Sequence, residues 1–192
     1  MLSPAQQNAY WTDGFVFPVQ CASAEEVAKW REELTRLRET NESSWLAGDT
    51  DSLHKWLQPI AERPAIIDQV GSLLGERIQI QNIDVFVKDP TQFSLRIWSM
   101  NRSGIQPHID THFPPPASEK KLSVWLPLTE AKPSHGGLKY YAGSHRTLPT
   151  DIELSPQQVS IEPEILKRLP NRKPTPVHLQ PGEMAIHHAR MI

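Results

Sequence analysis

Apolar residues in the first third of the chain recur at helical intervals. In "SAEEVAKWREELTRLRE" (23–39), Val27, Trp30, Leu34 and Leu37 return every three or four positions, which puts them on one stripe of an amphipathic helix. Ser23 and Glu26 stand at capping-box spacing at its start. Ser3-Pro4 predicts an N-cap and first helical residue for a shorter helix that stops near Gly14, and "FVFPV" (15–19) reads as a short strand. "DSLHKWLQPI" predicts further helical turns. "PAIIDQVGSLLG" (64–75) predicts another helix closed by a glycine, with Ile66, Ile67, Val70, Leu73 and Leu74 on its buried side.

From Glu76 the period changes to two. "RIQIQNIDVFVK" (77–88) alternates apolar and polar, with a slip between Ile80 and Ile83 that predicts a bulge. "FSLRIWS", "KLSVWLPL", "GGLKYYAG", "TPVHLQ" and "EMAIHH" are further short strand-like segments bounded by Gly, Pro, Ser or Asn. Several short strands with turns between them predict a sandwich or barrel rather than β-α repeats. The reading is therefore α+β with a mainly β core. One domain is expected, with a helical portion over 1–75 and a β core over 76–192. "PTDIELSPQQVSIEPEILKRLPNRKP" (149–174) reads as a proline-punctuated insertion with one helix at 163–169.

Composition narrows the function. The 192 residues carry 20 basic and 22 acidic side chains, a net charge of −2, so no basic excess points to nucleic acid or an anionic membrane. Cys21 is the only cysteine, which excludes an internal disulfide and fits a reducing compartment. No secretory pattern opens the chain, and no apolar run approaches the ~20 residues of a membrane helix. A cytoplasmic protein acting through a local site is expected, with a small molecule as its partner.

"GIQPHIDTHFPPP" (104–116) holds the candidate chemistry. On a strand, His108 and Asp110 project from one face, their Cβ atoms roughly 6–7 Å apart at ~3.3 Å rise per residue. An imidazole and a carboxylate from that separation can share one metal ion at bonds of about 2.0–2.2 Å. A further histidine from a distant strand would complete a 2-His-1-carboxylate facial triad of the kind found in non-haem Fe(II) oxygenases. The alternative is a solvated loop that happens to be rich in histidine.

The order of several segments resembles the phytanoyl-CoA dioxygenase-like Fe(II)/2-oxoglutarate oxygenases. "SPAQQNAYWTDGFVFP" and "SAEEVAKWREEL" are similar to the opening of that family, and "DVFVKDP" to the strand before its iron motif. His108-Ile109-Asp110 matches the motif itself. "VWLPLTEAKPSHGGLKYYAGSHR" and "LQPGEMAIHH" are similar to its later segments, with His135-Gly136 where Asn-Gly is usual. The resemblance implies a double-stranded β-helix, or jelly roll. It implies Fe(II) on His108 and Asp110, 2-oxoglutarate as cosubstrate and O2 as oxidant, with release of succinate and CO2. It also places Trp125 beside 2-oxoglutarate, where ordinary core packing is the competing role. A carboxylate at Asp110, where related halogenases carry a small residue, favours hydroxylation over halogenation. His112, as a third residue on the same face, and Arg96 and Trp98, alternating on their strand, are candidates for lining the substrate pocket. Lys88 and Ser144-His145-Arg146 read more simply as a solvated strand end and a turn.

The pattern breaks at "HHARMI". By alignment with the family, the third iron ligand is expected just after Ile192, and the arginine that grips the far carboxylate of 2-oxoglutarate lies further on. The expectation is a jelly roll lacking its C-terminal strand or strands. His187 or His188 as the third ligand, with Arg190 as the clamp, is the weaker alternative. Two rivals of other kinds remain: a non-catalytic β-helix binding module, and a cupin-type enzyme with another metal, whose usual ligand set His108 and Asp110 fit poorly.

Overall fold

The structure is a computed structural model describing residues 1–40, 51–86, 106–110, 120–147, 161 and 163–192. Helix α1 (Pro4–Asp13) begins as the sequence predicts: the Ser3 hydroxyl accepts from the Gln6 amide and the Gln6 side chain accepts from the Ser3 amide. It ends on Gly14, left-handed at φ 89°, whose amide donates to the Tyr10 carbonyl. Strand β1 (Phe15–Gln20) follows at once. Helix α2 (Ala24–Thr40) carries the same kind of box, with Ser23 and Glu26 exchanging hydrogen bonds. Helices α3 (Asp51–Ala61) and α4 (Pro64–Leu74) occupy the two remaining segments of helical periodicity. Arg63, at the N-cap of α4, ties it back to α2: its guanidinium lies 2.6 Å from Glu26 and 5.1 Å over the Trp30 ring.

Beyond α4 come strands β2 (Leu122–Trp125) and β3 (Lys139–Tyr140), the short helices α5 (Ser144–Thr147) and α6 (Pro163–Leu166), and strands β4 (Thr175–Pro176) and β5 (Glu183–His188). Among the described residues two antiparallel sheets form, one in the order β1-β5-β2 and the other pairing β3 with β4. Strand β5 is thus the central one. Phe15 faces His187 across one ladder and Ser123 faces His187 across the other. Gly182 fits the chain at the entry to β5: at φ 98° it offers its carbonyl to the amides of Cys21 and Ala22, and a Cβ there would strike the Ala22 carbonyl oxygen.

Alternation gives the larger sheet two distinct faces. Val16, Val19, Met184 and Ile186 point to the helices, forming a core with Tyr10, Val27, Ile66, Val70 and Leu73, against which Leu122 and Val124 pack. Phe15, Phe17, Trp125 and Ala185 turn to the other face, toward Tyr140, Val177 and Leu179. A third cluster joins Ile109 to Ile161, Leu169 and Ile192.

Over its described part, one expected strand does not form. Residues 77–86 run without a ladder among the described residues, and Phe86 is 55% exposed. Alternating polarity supplies one apolar face, but a strand also needs a neighbour for its backbone groups, and none of the described residues provides one. The helix expected over 163–169 is shorter, ending at Leu166 and followed by turns to Pro170. Lys88, Arg96, Trp98, His112 and the segment "FSLRIWS" lie outside the described residues. Among those described, no helix is long and apolar enough to cross a membrane. Helices and antiparallel sheets together bear out an α+β architecture.

Candidate active site

His108 and Asp110 come from one short segment, with Ile109 between them turned into the third apolar cluster. That buried side chain leaves its two polar neighbours on the opposite side. The His108 Nε2 lies 3.6 Å from the Asp110 Oδ1. Its Nδ1 lies 2.9 Å from the Gln106 carbonyl oxygen, which can only accept, so the Nδ1 carries a proton and, in the neutral imidazole, the Nε2 presents a lone pair. Imidazole nitrogen and carboxylate oxygen therefore face each other as two electron-pair donors. Two atoms each about 2.1 Å from one cation are about 3 Å apart at a right angle and about 4.2 Å apart when opposed. The observed separation falls between these limits. Both side chains are about one-third exposed, so a cation can reach them from solvent.

The other carboxylate oxygen is engaged elsewhere. Asp110 Oδ2 accepts from His187 Nε2 at 2.7 Å, and His187 Nδ1 meets the Tyr140 hydroxyl at 2.9 Å. Burial alone would raise the Asp110 pKa, but hydrogen bonds from His187 and Ser123 hold it well below the usual carboxylate range. Asp110 is thus ionised at neutral pH. Burial pushes the Tyr140 hydroxyl far above the usual phenol range, so it keeps its proton.

The family model for phytanoyl-CoA dioxygenase matches residues 10–192. The chain belongs to the phytanoyl-CoA dioxygenase family. A search of curated proteins finds no match. Solved structures similar in fold include the epimerase SnoN in complex with Fe3+, alpha-ketoglutarate and nogalamycin RO, at 19% identity and TM-score 0.61, covering 97% of this chain and 74% of that one. CytC3 with Fe(II) and alpha-ketoglutarate is 18% identical at TM-score 0.56, over 100% of this chain and 69% of that one. EvdO2 from Micromonospora carbonacea var. aurantiaca, complexed with 2-oxoglutarate, is 16% identical at TM-score 0.56, over 100% and 82%. At these identities the likeness is one of fold.

Within this family framework the remaining candidates separate by face. Trp125, the last residue of β2, is half-buried in the aromatic cluster with Phe15, Phe17 and Tyr140, on the same sheet face as His187. His188 points the other way, 5.1 Å from the His145 ring and 6.4 Å from Tyr10, and its Nδ1 accepts from the Arg190 amide. The structure brings His187 to Asp110 and does not bring His188 there. Among the described residues, no group of three His, Cys, Asp or Glu is arranged to hold a metal ion. Ser144, His145 and Arg146, expected in a turn, fall instead in the short helix α5. Tyr140 and Ser123 are the site residues that sequence reasoning missed. A signal existed for Ser123: in "KLSVWLPL" it is the polar member of an apolar strand.

Proposed function

We propose that the chain is a non-haem Fe(II)/2-oxoglutarate-dependent dioxygenase that hydroxylates a small molecule and releases succinate and CO2. The observation that carries this reading is the pair of facing lone-pair donors, His108 Nε2 and Asp110 Oδ1, 3.6 Å apart in a chain of this family. In this reading the second half is the jelly-roll core over 76–192, packed on the helical portion over 1–75. Bound Fe(II) supplies the redox chemistry that couples decarboxylation of 2-oxoglutarate to oxidation of the substrate by O2. The chain's own residues have simpler tasks. His108 donates its Nε2 lone pair, oriented by the Gln106 carbonyl. Asp110 donates Oδ1 as a carboxylate already free of its proton. Trp125 forms an apolar wall suited to packing against the cosubstrate, and His112, Arg96 and Trp98 are proposed to line the substrate pocket.

In this reading a third donor follows Ile192. Ile192 is buried in the cluster that contains Ile109, between His108 and Asp110, and its backbone is held by Tyr141 and Ser144. The second reading is a non-catalytic β-helix binding module, favoured by the lack of a three-donor group among the described residues.

Anaerobic addition of Fe(II) and 2-oxoglutarate separates the two. The expected result is a weak visible metal-to-ligand charge-transfer band, strongest in the chain carrying one histidine added after Ile192, and lost in His108→Ala and Asp110→Ala. A band in neither form supports the binding module. A band that survives in both variants means that the iron sits on other residues.

A further inference from the structure

The Asp110 carboxylate divides its two oxygens between different neighbours. Oδ1 faces the His108 Nε2 at 3.6 Å, while Oδ2 is taken by the His187 Nε2 at 2.7 Å. His187 uses its second ring nitrogen as well, since Nδ1 lies 2.9 Å from the Tyr140 hydroxyl. The chain Tyr140–His187–Asp110 crosses three elements: β3, β5 and the 106–110 segment.

We infer that His187, locked by Tyr140, is a positioning residue that ties down Asp110 Oδ2, so that Asp110 meets a metal through Oδ1 alone. This rests on the reading that His108 and Asp110 bind the metal. Three features support it. His187 and Tyr140 are only 7% and 4% exposed, so the relay is built into the packed interior rather than drawn from mobile surface chains. Tyr140 stacks on Phe15 at 4.9 Å, and Phe15 is the cross-strand partner of His187, so the ring that orients His187 is itself fixed by the same ladder. The carboxylate sets the direction of the bonds. It can only accept, so His187 Nε2 carries a proton; in the neutral imidazole Nδ1 is then the acceptor and the Tyr140 hydroxyl the donor. In that tautomer the lone pair of His187 is on Nδ1 and is taken by Tyr140, while Nε2 presents a proton: His187 acts as a donor to the ligand rather than as a ligand.

The same logic explains why one oxygen matters. A carboxylate free to rotate can present either oxygen or both. Fixing Oδ2 removes the entropy of choosing and leaves the remaining coordination positions open. Removing such an outer hydrogen bond typically weakens metal binding about 10–100-fold.

Nitrogen NMR of the imidazoles and Mn(II) binding, followed by electron paramagnetic resonance, test the proposal together. In the metal-free chain, His187 is expected as the Nε2–H tautomer, with an unprotonated, hydrogen-bonded Nδ1 that shifts in Tyr140→Phe. Mn(II) affinity should fall about 10–100-fold in His187→Leu and recover to within about threefold in His187→Gln, whose amide nitrogen reaches toward Oδ2 as Nε2 does. Tyr140→Phe keeps the ring packing, so its loss of affinity reads the hydroxyl and not the fold. An Nδ1–H tautomer overturns the inference. So does a loss in His187→Gln as deep as in His187→Leu, which would make His187 a ligand. Undiminished binding in His187→Leu, with binding abolished in Asp110→Ala, removes the positioning role and leaves the metal site standing. No Mn(II) binding with or without the histidine added after Ile192 removes both.

Discussion

Gly14 joins α1 to β1 at φ 89°, and the space where a side chain would begin is already filled. A methyl group there would overlap the Met191 Cε and the His145 Nδ1, and would lie 2.9 Å from the His145 Cε1. The methionine end can swing away, but the imidazole is a rigid ring held between Trp11 and His188, so it resists. Gly14→Ala therefore combines a left-handed backbone penalty of about 1–2 kcal/mol with overpacking of about 1–3 kcal/mol. Gly143→Ala isolates the first part. Gly143 is also left-handed, at φ 78°, but its new methyl would meet only the end of the Arg146 side chain, at 3.7 Å. Both variants share the backbone penalty and the modest gain from a stiffer unfolded chain, so the difference between them reads the collision with His145 and Met191. Urea unfolding with an unchanged m-value should place Gly14→Ala about 1–3 kcal/mol below Gly143→Ala. Because the Gly14 carbonyl also accepts from the His188 amide at 2.8 Å, part of that displacement passes into β5. If the two variants agree within about 0.5 kcal/mol, the usual additivity error, then His145 does not occupy the place the structure gives it.

Two further expectations concern protons. Burial, with His145, Arg190 and His187 nearby, lowers the His188 pKa from 6.5 to about 4. Between those values the unfolded chain takes up a proton that folded His188 refuses. Stability is therefore full above the unfolded value and falls as pH drops through 6.5 toward 4, with no further loss from this group below that. His145 is lowered too, mainly by burial, so His188→Asn, which keeps an acceptor for the Arg190 amide, should flatten the urea midpoint profile in part; an unchanged slope would refute the assignment. Ser123→Ala removes one of the donors that hold down the Asp110 pKa, so carbon NMR titration of that carboxyl should show it move upward; no movement would mean that Ser123 does not reach it.

Much of the architecture was legible because single local rules decided it. Ser3, Ser23 and Gly14 sit where capping chemistry demands, the period of the apolar residues marked α2 and α4, and the bounding turn residues marked β5. The 77–86 segment shows the limit of that approach. Alternation there is a property of the residues alone, whereas a strand is a property of a pair. At the site, the H-x-D spacing singled out His108 and Asp110, because two side chains separated by one buried apolar residue must share a side. The His187–Asp110 bond joins residues 77 positions apart, and the Tyr140–His187 bond spans 47. No local pattern reports such distances. Even so, "EMAIHH" already separates its histidines: with Met184 and Ile186 committed to the helical core, His188 follows them and His187 must face away.

The face to which His187 turns is otherwise lined by Phe15, Phe17, Trp125 and Ala185, and for folding alone a polar pair in that company is a burden. Ser123 and His187 are directly opposed across the β2–β5 ladder, so the departure from apolar packing is a single cross-strand unit rather than two separate faults. Asp110 accounts for it. The carboxylate takes hydrogen bonds from Ser123 and from His187 Nε2, and they in return outweigh the tendency of burial to neutralise it. A carboxylate kept ionised at neutral pH offers an arriving cation an oxygen for which no proton competes. In the proposed reading Ser123 and His187 serve a charged ligand, and it is the ladder between two otherwise apolar strands that supplies them.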